Sequence, residues 1–275
     1  MTSLSGPGPA RPPAPNRPVT HSDDQGRPVR INAAGVRRVV SLVPSLTESL
    51  ACTAPDLLAG ATNWCTHPAN LPVPRIGGTK NPDLAAIADL APDLVLANEE
   101  ENRQADLDAL RAAGTQVWVT HIRTLDQAFR SLDRLLTVAC SLPRPTWLDE
   151  AEQAWRDLPA RPARLRAIVP IWRRPWMVLG RDTFAGDLLR RLGIDLIHAG
   201  HTERYPAITL DQLRADGPDL VVLPDEPYRF TAEDGPEAFP GLPSALVSGR
   251  DLTWYGPSLR TAPAMLSARL ERPAG

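Results

Sequence analysis

Leu84-Ala85-Ala86-Ile87-Ala88-Asp89-Leu90-Ala91-Pro92-Asp93-Leu94-Val95-Leu96 returns later in the same chain as Leu210-Asp211-Gln212-Leu213-Arg214-Ala215-Asp216-Gly217-Pro218-Asp219-Leu220-Val221-Val222. Each copy reads as a short amphipathic helix, a Pro-Asp turn and an apolar strand. Each strand runs into acidic residues, and at the same offset Glu100 lies opposite Glu226. The repeat predicts an α/β fold of two Rossmann-like lobes facing one another, with a ligand cleft between them.

Outward from the first copy, Val36 to Val43 reads as a buried strand, followed at once by Ser45-Leu46-Thr47-Glu48, a Ser-x-x-Glu capping box. Asn81 is expected to cap the helix of the first copy, with Pro82 at its first position. Asn102 is expected to cap the helix that runs to Ala113, and Val117-Trp118-Val119 is the next strand. Ahead of these, Asp24 to Ile31 has the look of a small hairpin or edge strand. Around the second copy, strands are expected at Leu165–Pro170, Trp176–Leu179 and Ile194–Ile197, with a helix from Phe184 to Leu192 and another from Pro263. Between the lobes, Leu148, Ala151, Trp155 and Leu158 recur at helical spacing, behind a break at Pro143 and Pro145. The predicted division is a disordered Pro-rich tail over 1–20, an N-terminal lobe over 21–123, a helical connector over 124–160 and a C-terminal lobe over 161–275.

Composition narrows the function. The 275 residues are 43% hydrophobic, enough for real cores, and the net charge of -2 leaves no basic footprint for nucleic acid. Cys52, Cys65 and Cys140 are scattered without a CxxC pair, against a disulfide framework or structural zinc. Five histidines show no metal spacing, and no GxSxG, HExxH, Walker A or post-strand GxGxxG motif is present. No apolar run has the length of a membrane span or a secretory signal, so the sequence as written implies a cytoplasmic protein. A misassigned start would instead imply the periplasm or cell surface.

Arg38-Val39-Val40-Ser41-Leu42-Val43-Pro44-Ser45-Leu46-Thr47-Glu48, the strand entry Ala91-Pro92-Asp93-Leu94-Val95 and its echo Gly217-Pro218-Asp219-Leu220-Val221, with Asp24-Gln25-Gly26-Arg27 before them, resemble the helical-backbone metal-chelate receptors, class III substrate-binding proteins. The likeness covers roughly residues 22–270. The cobalamin-binding branch is nearest, because Trp64 falls where such proteins set an aromatic against the ligand. The resemblance implies non-enzymatic binding of a cobalamin, heme or iron-siderophore, delivered to an ABC permease, with no built-in cofactor. Such importers carry an export signal and offer the permease one acidic residue per lobe. Here no export signal is seen, and Asp211 in the second copy is matched by Ala85 in the first, with Asp83 displaced by about half a turn. A monomeric cytoplasmic relative without its transporter would account for both departures.

Ligands of open α/β sheets gather beyond the carboxyl ends of the strands. The candidate binding residues are therefore Ser45 at a helix start, Trp64 beside Cys65 and His67, and Lys80, the only lysine in the chain. To these are added Glu100, the cluster Trp172, Arg173 and Trp176, then Glu226 and Tyr228, and Trp254 with Tyr255, with Arg204-Tyr205 expected at the same mouth. Two indoles and two arginines in Ile171–Trp176 could clamp a large amphipathic ligand. Cys65 or His67 could ligate a metal within the chelate; equally, Cys65 is simply small and buried. Three adjacent glutamates, Glu99 to Glu101, repel, so at least one needs a cation or a raised pKa. The alternative reading is a cytoplasmic enzyme or salvage factor that works on a small substrate with Glu100, Glu226 and Lys80.

Overall fold

The computed structural model describes residues 18–32, 34–159 and 165–273. Most of the Pro-rich stretch expected over 1–20 lies outside the described residues. Of the hairpin or edge strand expected over Asp24–Ile31, the structure forms an antiparallel hairpin, β1 (Val19–Ser22) with β2 (Pro28–Ile31), whose first strand begins within the stretch expected as a tail. The N-terminal lobe then continues as β3 (Val39–Ser41), α1 (Pro44–Thr53), β4 (Leu58–Ala61), α2 (Leu84–Asp89), β5 (Leu94–Asn98), α3 (Gln104–Ala112) and β6 (Val117–Thr120). Its sheet is parallel, in the order β4-β3-β5-β6.

Two helices link the lobes: α4 (Leu125–Arg134), continued by a π turn over Leu135–Ala139, and α5 (Thr146–Arg156). The break between them holds Pro143 and Pro145. Leu148, Ala151 and Trp155 are buried along one face of α5, as their spacing predicts.

The C-terminal lobe consists of β7 (Leu165–Ile168), β8 (Pro170–Arg173), β9 (Trp176–Val178), α6 (Phe184–Arg191), β10 (Ile194–Leu196), α7 (Leu210–Ala215), β11 (Leu220–Pro224), β12 (Ser244–Val247), α8 (Gly249–Thr253) and α9 (Ala262–Leu270). Its parallel sheet runs β10-β7-β11-β12, so second, first, third and fourth strands stand in the same order in both lobes. The strand expected from Leu165 to Pro170 ends at Ile168, and β8 and β9 form a separate antiparallel hairpin. Both repeated strands, β5 and β11, are buried along their whole length, which is why each reads as a continuous apolar run.

The Pro-Asp turn has a physical job. Asp93 accepts the main-chain N–H groups of Arg37 (2.8 Å) and Arg38 (2.9 Å), while its own N–H donates to the Arg38 carbonyl at 2.9 Å. Asp219 repeats this on the start of β7, accepting from Arg166 N–H at 2.7 Å and donating to its carbonyl at 2.8 Å. The carboxylate thus fixes the register of the third strand against the first. Before it, Ala91 and Gly217 both turn through the left-handed region, at φ 43° and 63°.

One apolar cluster runs through both lobes and the connector, from Val39, Leu96 and Trp118 through Leu132 and Leu148 to Leu188, Val222 and Leu266. A smaller cluster in the C-terminal lobe, including Phe230 and Phe239, lies beneath Trp176 and Tyr228.

Candidate functional site

A cavity of about 380 Å³ opens between the lobes at the carboxyl ends of both sheets. Lobe one contributes Pro44, Thr79, Lys80, Asn98, Glu100 and Glu101. Lobe two contributes an apolar wall of Ile171, Leu179, Phe184, Trp254 and Tyr255, with Tyr205 and Glu226 among its polar members. Of the residues singled out from sequence, Lys80, Glu100, Tyr205, Glu226, Trp254 and Tyr255 share this cavity.

The acidic run of lobe one is held in shape by two buried asparagines. Asn102 accepts from Asn98 N–H at 2.9 Å and donates to the carbonyls of Leu42 (3.3 Å) and Thr79 (3.0 Å). Asn98 donates to Thr120 and accepts from Glu100 N–H at 2.9 Å. This bracing, rather than a cap, is what Asn102 does: the helix starts two residues later, with Arg103 at its N-cap. The same bonds draw in the Thr79-Lys80 turn, where Asp83 and not Asn81 caps α2, accepting from Ala86 N–H at 3.0 Å.

The three adjacent glutamates meet three different surroundings. Glu99 pairs with His121 and with Arg123. Glu100 crosses the cleft: Arg204 pairs with its carboxylate, and the Tyr205 hydroxyl donates to it at 3.2 and 3.3 Å. Lys80 donates to the Glu100 main-chain carbonyl. Glu101 makes no side-chain hydrogen bond among the described residues. Burial pushes its carboxyl up to about 7; the Lys80 ammonium opposes that rise, and the Glu226 carboxylate adds to it. The repeat sets Glu100 opposite Glu226, but Glu101 is the neighbour whose charge Glu226 disturbs.

Across the cleft, Glu226 is also pushed upward, first by burial and then by Asp225, with the Trp254 indole N–H and Arg250 opposing. Its loop presses on Gly249: a Cβ there would stand 2.2 Å from Glu226 Cγ and 2.8 Å from its carbonyl oxygen, so only glycine admits the approach. Tyr255 is 6% exposed and packs edge-on against Phe184 at 5.7 Å. Its hydroxyl has no hydrogen-bond partner of normal geometry, and burial pushes it well above the usual tyrosine range.

The remaining candidates stand outside the cavity lining. Ser45 lies just behind it, in the first turn of α1: Pro44 occupies the first helical position and Val43 is the N-cap, so the Ser-x-x-Glu pair makes no capping box. Glu48 instead pairs across the lobes with Arg250, and the buried Ser45 hydroxyl is left without a partner. Trp64 is 66% exposed, with its indole nitrogen against the Gly78 turn. Its loop does reach the cleft: His67 packs edge-on against Trp254 at 5.4 Å. Cys65 is buried between Thr47 (3.0 Å) and Thr62 (3.2 Å), and burial raises its thiol. Trp172, 44% exposed, meets Tyr228 edge-on. Trp176 packs on Phe230 and Phe239 over the second apolar cluster. Arg173 lies over Trp176 and pairs with Asp234 and Glu237, while the Tyr228 hydroxyl donates to Asp234 at 2.6 Å. The Trp172–Trp176 group is therefore a self-contained hairpin rather than a wall of the cleft.

Sequence reasoning sets Arg204 and Tyr205 at the same mouth as Trp254 and Tyr255; the structure has Tyr205 in the cavity lining and Arg204 paired with Glu100. Phe184 is the wall residue it passes over, because it reads as an ordinary helix start. Glu101 was within reach, since three like charges in a row demand that one be relieved. Among the described residues no group of three or more His, Cys, Asp or Glu side chains is placed to hold a metal ion, and no helix is long and apolar enough to cross a membrane.

A family profile described as periplasmic binding protein matches residues 39–237. A vitamin B12-binding protein of Pectobacterium atrosepticum is 24% identical over 204 residues, 68% of this chain and 71% of that one. The periplasmic vitamin B12-binding protein BtuF of Vibrio cholerae superposes with a TM-score of 0.70 at 17% identity, over 86% of this chain and 97% of that one. A periplasmic heme-binding protein, BhuT, in complex with two hemes, gives 0.72 at 23% identity, over 85% and 97%. At these identities the structural likeness establishes the fold, two lobes with parallel four-stranded sheets.

Proposed function

The chain belongs to the periplasmic binding protein family, a family of binders rather than enzymes, and from that premise we propose that its interlobe cavity holds a ring-rich metal chelate, a corrinoid before a heme or an iron-siderophore. The observation that carries this reading is the composition of the cavity: one apolar and aromatic wall from lobe two faces a small set of directed polar groups from lobe one. Aromatic rings stacked or edge-on to a flat macrocycle contribute about 0.5–1.5 kcal/mol each beyond their buried area. Trp254 and Tyr255 supply them from the wall, and Trp64 and His67 stand at the rim. The metal remains the ligand's own.

The enzymatic alternative built on Glu100, Glu226 and Lys80 loses support from their bonding. Lys80 is engaged by a main-chain carbonyl and Glu100 by Arg204 and Tyr205, so two of its three groups are committed to bonds within the protein.

Tryptophan fluorescence of the purified chain, titrated with aquocobalamin, hemin and a ferric siderophore, tests the reading. Saturable quenching by at least one compound, lost in Trp254→Phe, is expected. No saturable response to any of the three sinks it. Delivery to an ABC permease is the corresponding proposal for a partner. Asp211 is 98% exposed on lobe two, whereas lobe one offers exposed Ala85 at the equivalent place and Asp83 is occupied as a helix cap. Docking would thus rest on lobe two. Fractionation of the native host tests whether the chain acts in the cell envelope, as the periplasmic proteins it resembles do by their names, or in the cytoplasm.

A further inference from the structure

The polar groups in the cavity wall discriminate among chelates by charge. Glu100, Glu101 and Glu226 line it against one ammonium, that of Lys80. The guanidinium groups that bear on these carboxylates are already engaged: Arg204 pairs with Glu100 and donates to the Asp182 carbonyl at 2.7 and 3.0 Å, and Arg250 pairs with Glu48. Lys80 is directed to a main-chain carbonyl. The groups that face the cavity without a full set of partners are Glu101, Glu226 and the buried Tyr255 hydroxyl, which makes no hydrogen bond of normal geometry.

We propose that this cleft selects chelates whose periphery carries positive charge or amide N–H donors, and turns away chelates that enter on carboxylates. The proposal rests on the reading of the cavity as a chelate site and adds the chemical class it admits. An ammonium, a cationic metal centre or a primary amide would engage Glu101 and Glu226 in charge-assisted contacts. The Tyr255 hydroxyl, able to donate or accept, would meet an amide from the other side. A ligand carboxylate would instead face two like charges with no free guanidinium to receive it, a repulsive element that sets specificity as firmly as any attraction. The groups whose charge bears on Glu101 are Lys80, Glu226, Tyr205 and Tyr255. Its raised pKa, set first by burial and only partly offset by the Lys80 ammonium, agrees with a carboxylate that makes no side-chain hydrogen bond among the described residues.

The test is calorimetric titration of the full chain at pH 8 with aquocobinamide, a cationic corrinoid rich in primary amides, and with hemin, which carries two propionates. Aquocobinamide is expected to bind at least about tenfold more tightly, and Glu101→Gln with Glu226→Gln to shrink that preference by about tenfold. Each single variant is measured beside the double one, with circular dichroism as the check on folding. The wild-type comparison stands even if a variant fails to fold. Equal affinity, or a preference for hemin, overturns the charge selection while leaving the chelate reading intact. An unchanged preference in the folded double variant also overturns it. Binding of neither compound overturns the charge selection, and the chelate reading falls with it only if aquocobalamin and the ferric siderophore also fail to quench in the fluorescence titration.

Discussion

In lobe one Asp93 clamps two main-chain amides of the neighbouring strand, and among the described residues Asp219 in lobe two clamps one. The turn before Asp93 takes its left-handed step on Ala91, the turn before Asp219 on Gly217. Beyond the strands the lobes part company. Lobe one ends its third strand in a carboxylate cluster braced by asparagines, and lobe two supplies a wall of rings and an added hairpin. The shared plan sits where strand register must be fixed. The divergence sits at the strand ends, where the ligand is expected. Scaffold and site are thus separable by position in each half, and substitutions should divide along the same line.

The largest effect is expected where the halves are joined. Arg250→Ala removes the partner of buried Glu48 in the other lobe and should lower unfolding free energy by about 3 kcal/mol, read by urea denaturation. A loss below about 0.5 kcal/mol would show that the pair is not a tie between lobes.

Next comes Glu101→Gln, which probes lobe one's carboxylate cluster. A carboxyl whose folded pKa is raised to about 7 holds its proton in the native state after the unfolded chain has released it. Stability therefore falls as pH rises from about 4.5 to 7 and stays low above it. The variant should flatten that slope in thermal melts and be the more stable protein at pH 8. Glu226→Gln should act in the same direction from lobe two.

The Pro-Asp turns then give a paired measurement. Asp93→Ala is expected to cost about 2 kcal/mol and Asp219→Ala about 1 kcal/mol, in keeping with two accepted amides against one. Equal losses would remove the asymmetry. The smallest pair concerns the left-handed step. Gly217→Ala should destabilise by about 1 kcal/mol through backbone strain alone, since nothing stands within 4 Å of the added methyl. Ala91→Gly should stabilise by a few tenths of a kcal/mol, the relief of strain being largely offset by the greater freedom of the unfolded chain.

The fold was legible because its periodic signals survive in a single sequence. The repeated helix, turn and strand announced both sheets, and the α5 face of Leu148, Ala151 and Trp155 announced the connector. Local caps were less secure. Ser45 and Glu48 have capping-box spacing, but Pro44 fixes the first helical position one residue earlier, and an extended Val43 precedes it as proline demands. The site was legible in part. Lys80, Glu100, Glu226, Trp254 and Tyr255 came to notice as residues of the loops at strand ends. Trp172, Arg173 and Trp176 also lie beyond a strand, yet they fold back as a hairpin with its own apolar floor, a tertiary choice that no local pattern encodes. Which of three consecutive glutamates faces Glu226 depends on how Asn98 and Asn102 bend the loop, and Arg204 comes into play only once the lobes meet.

The apolar interior passes without interruption from one sheet through the connector into the other. Apart from the small cluster beneath Trp176 and Tyr228, neither half then has a private core to retreat to on warming. A scanning calorimeter should register one heat-absorption peak rather than two, with the van't Hoff enthalpy equal to the calorimetric one, and the isolated halves should not survive as stable fragments.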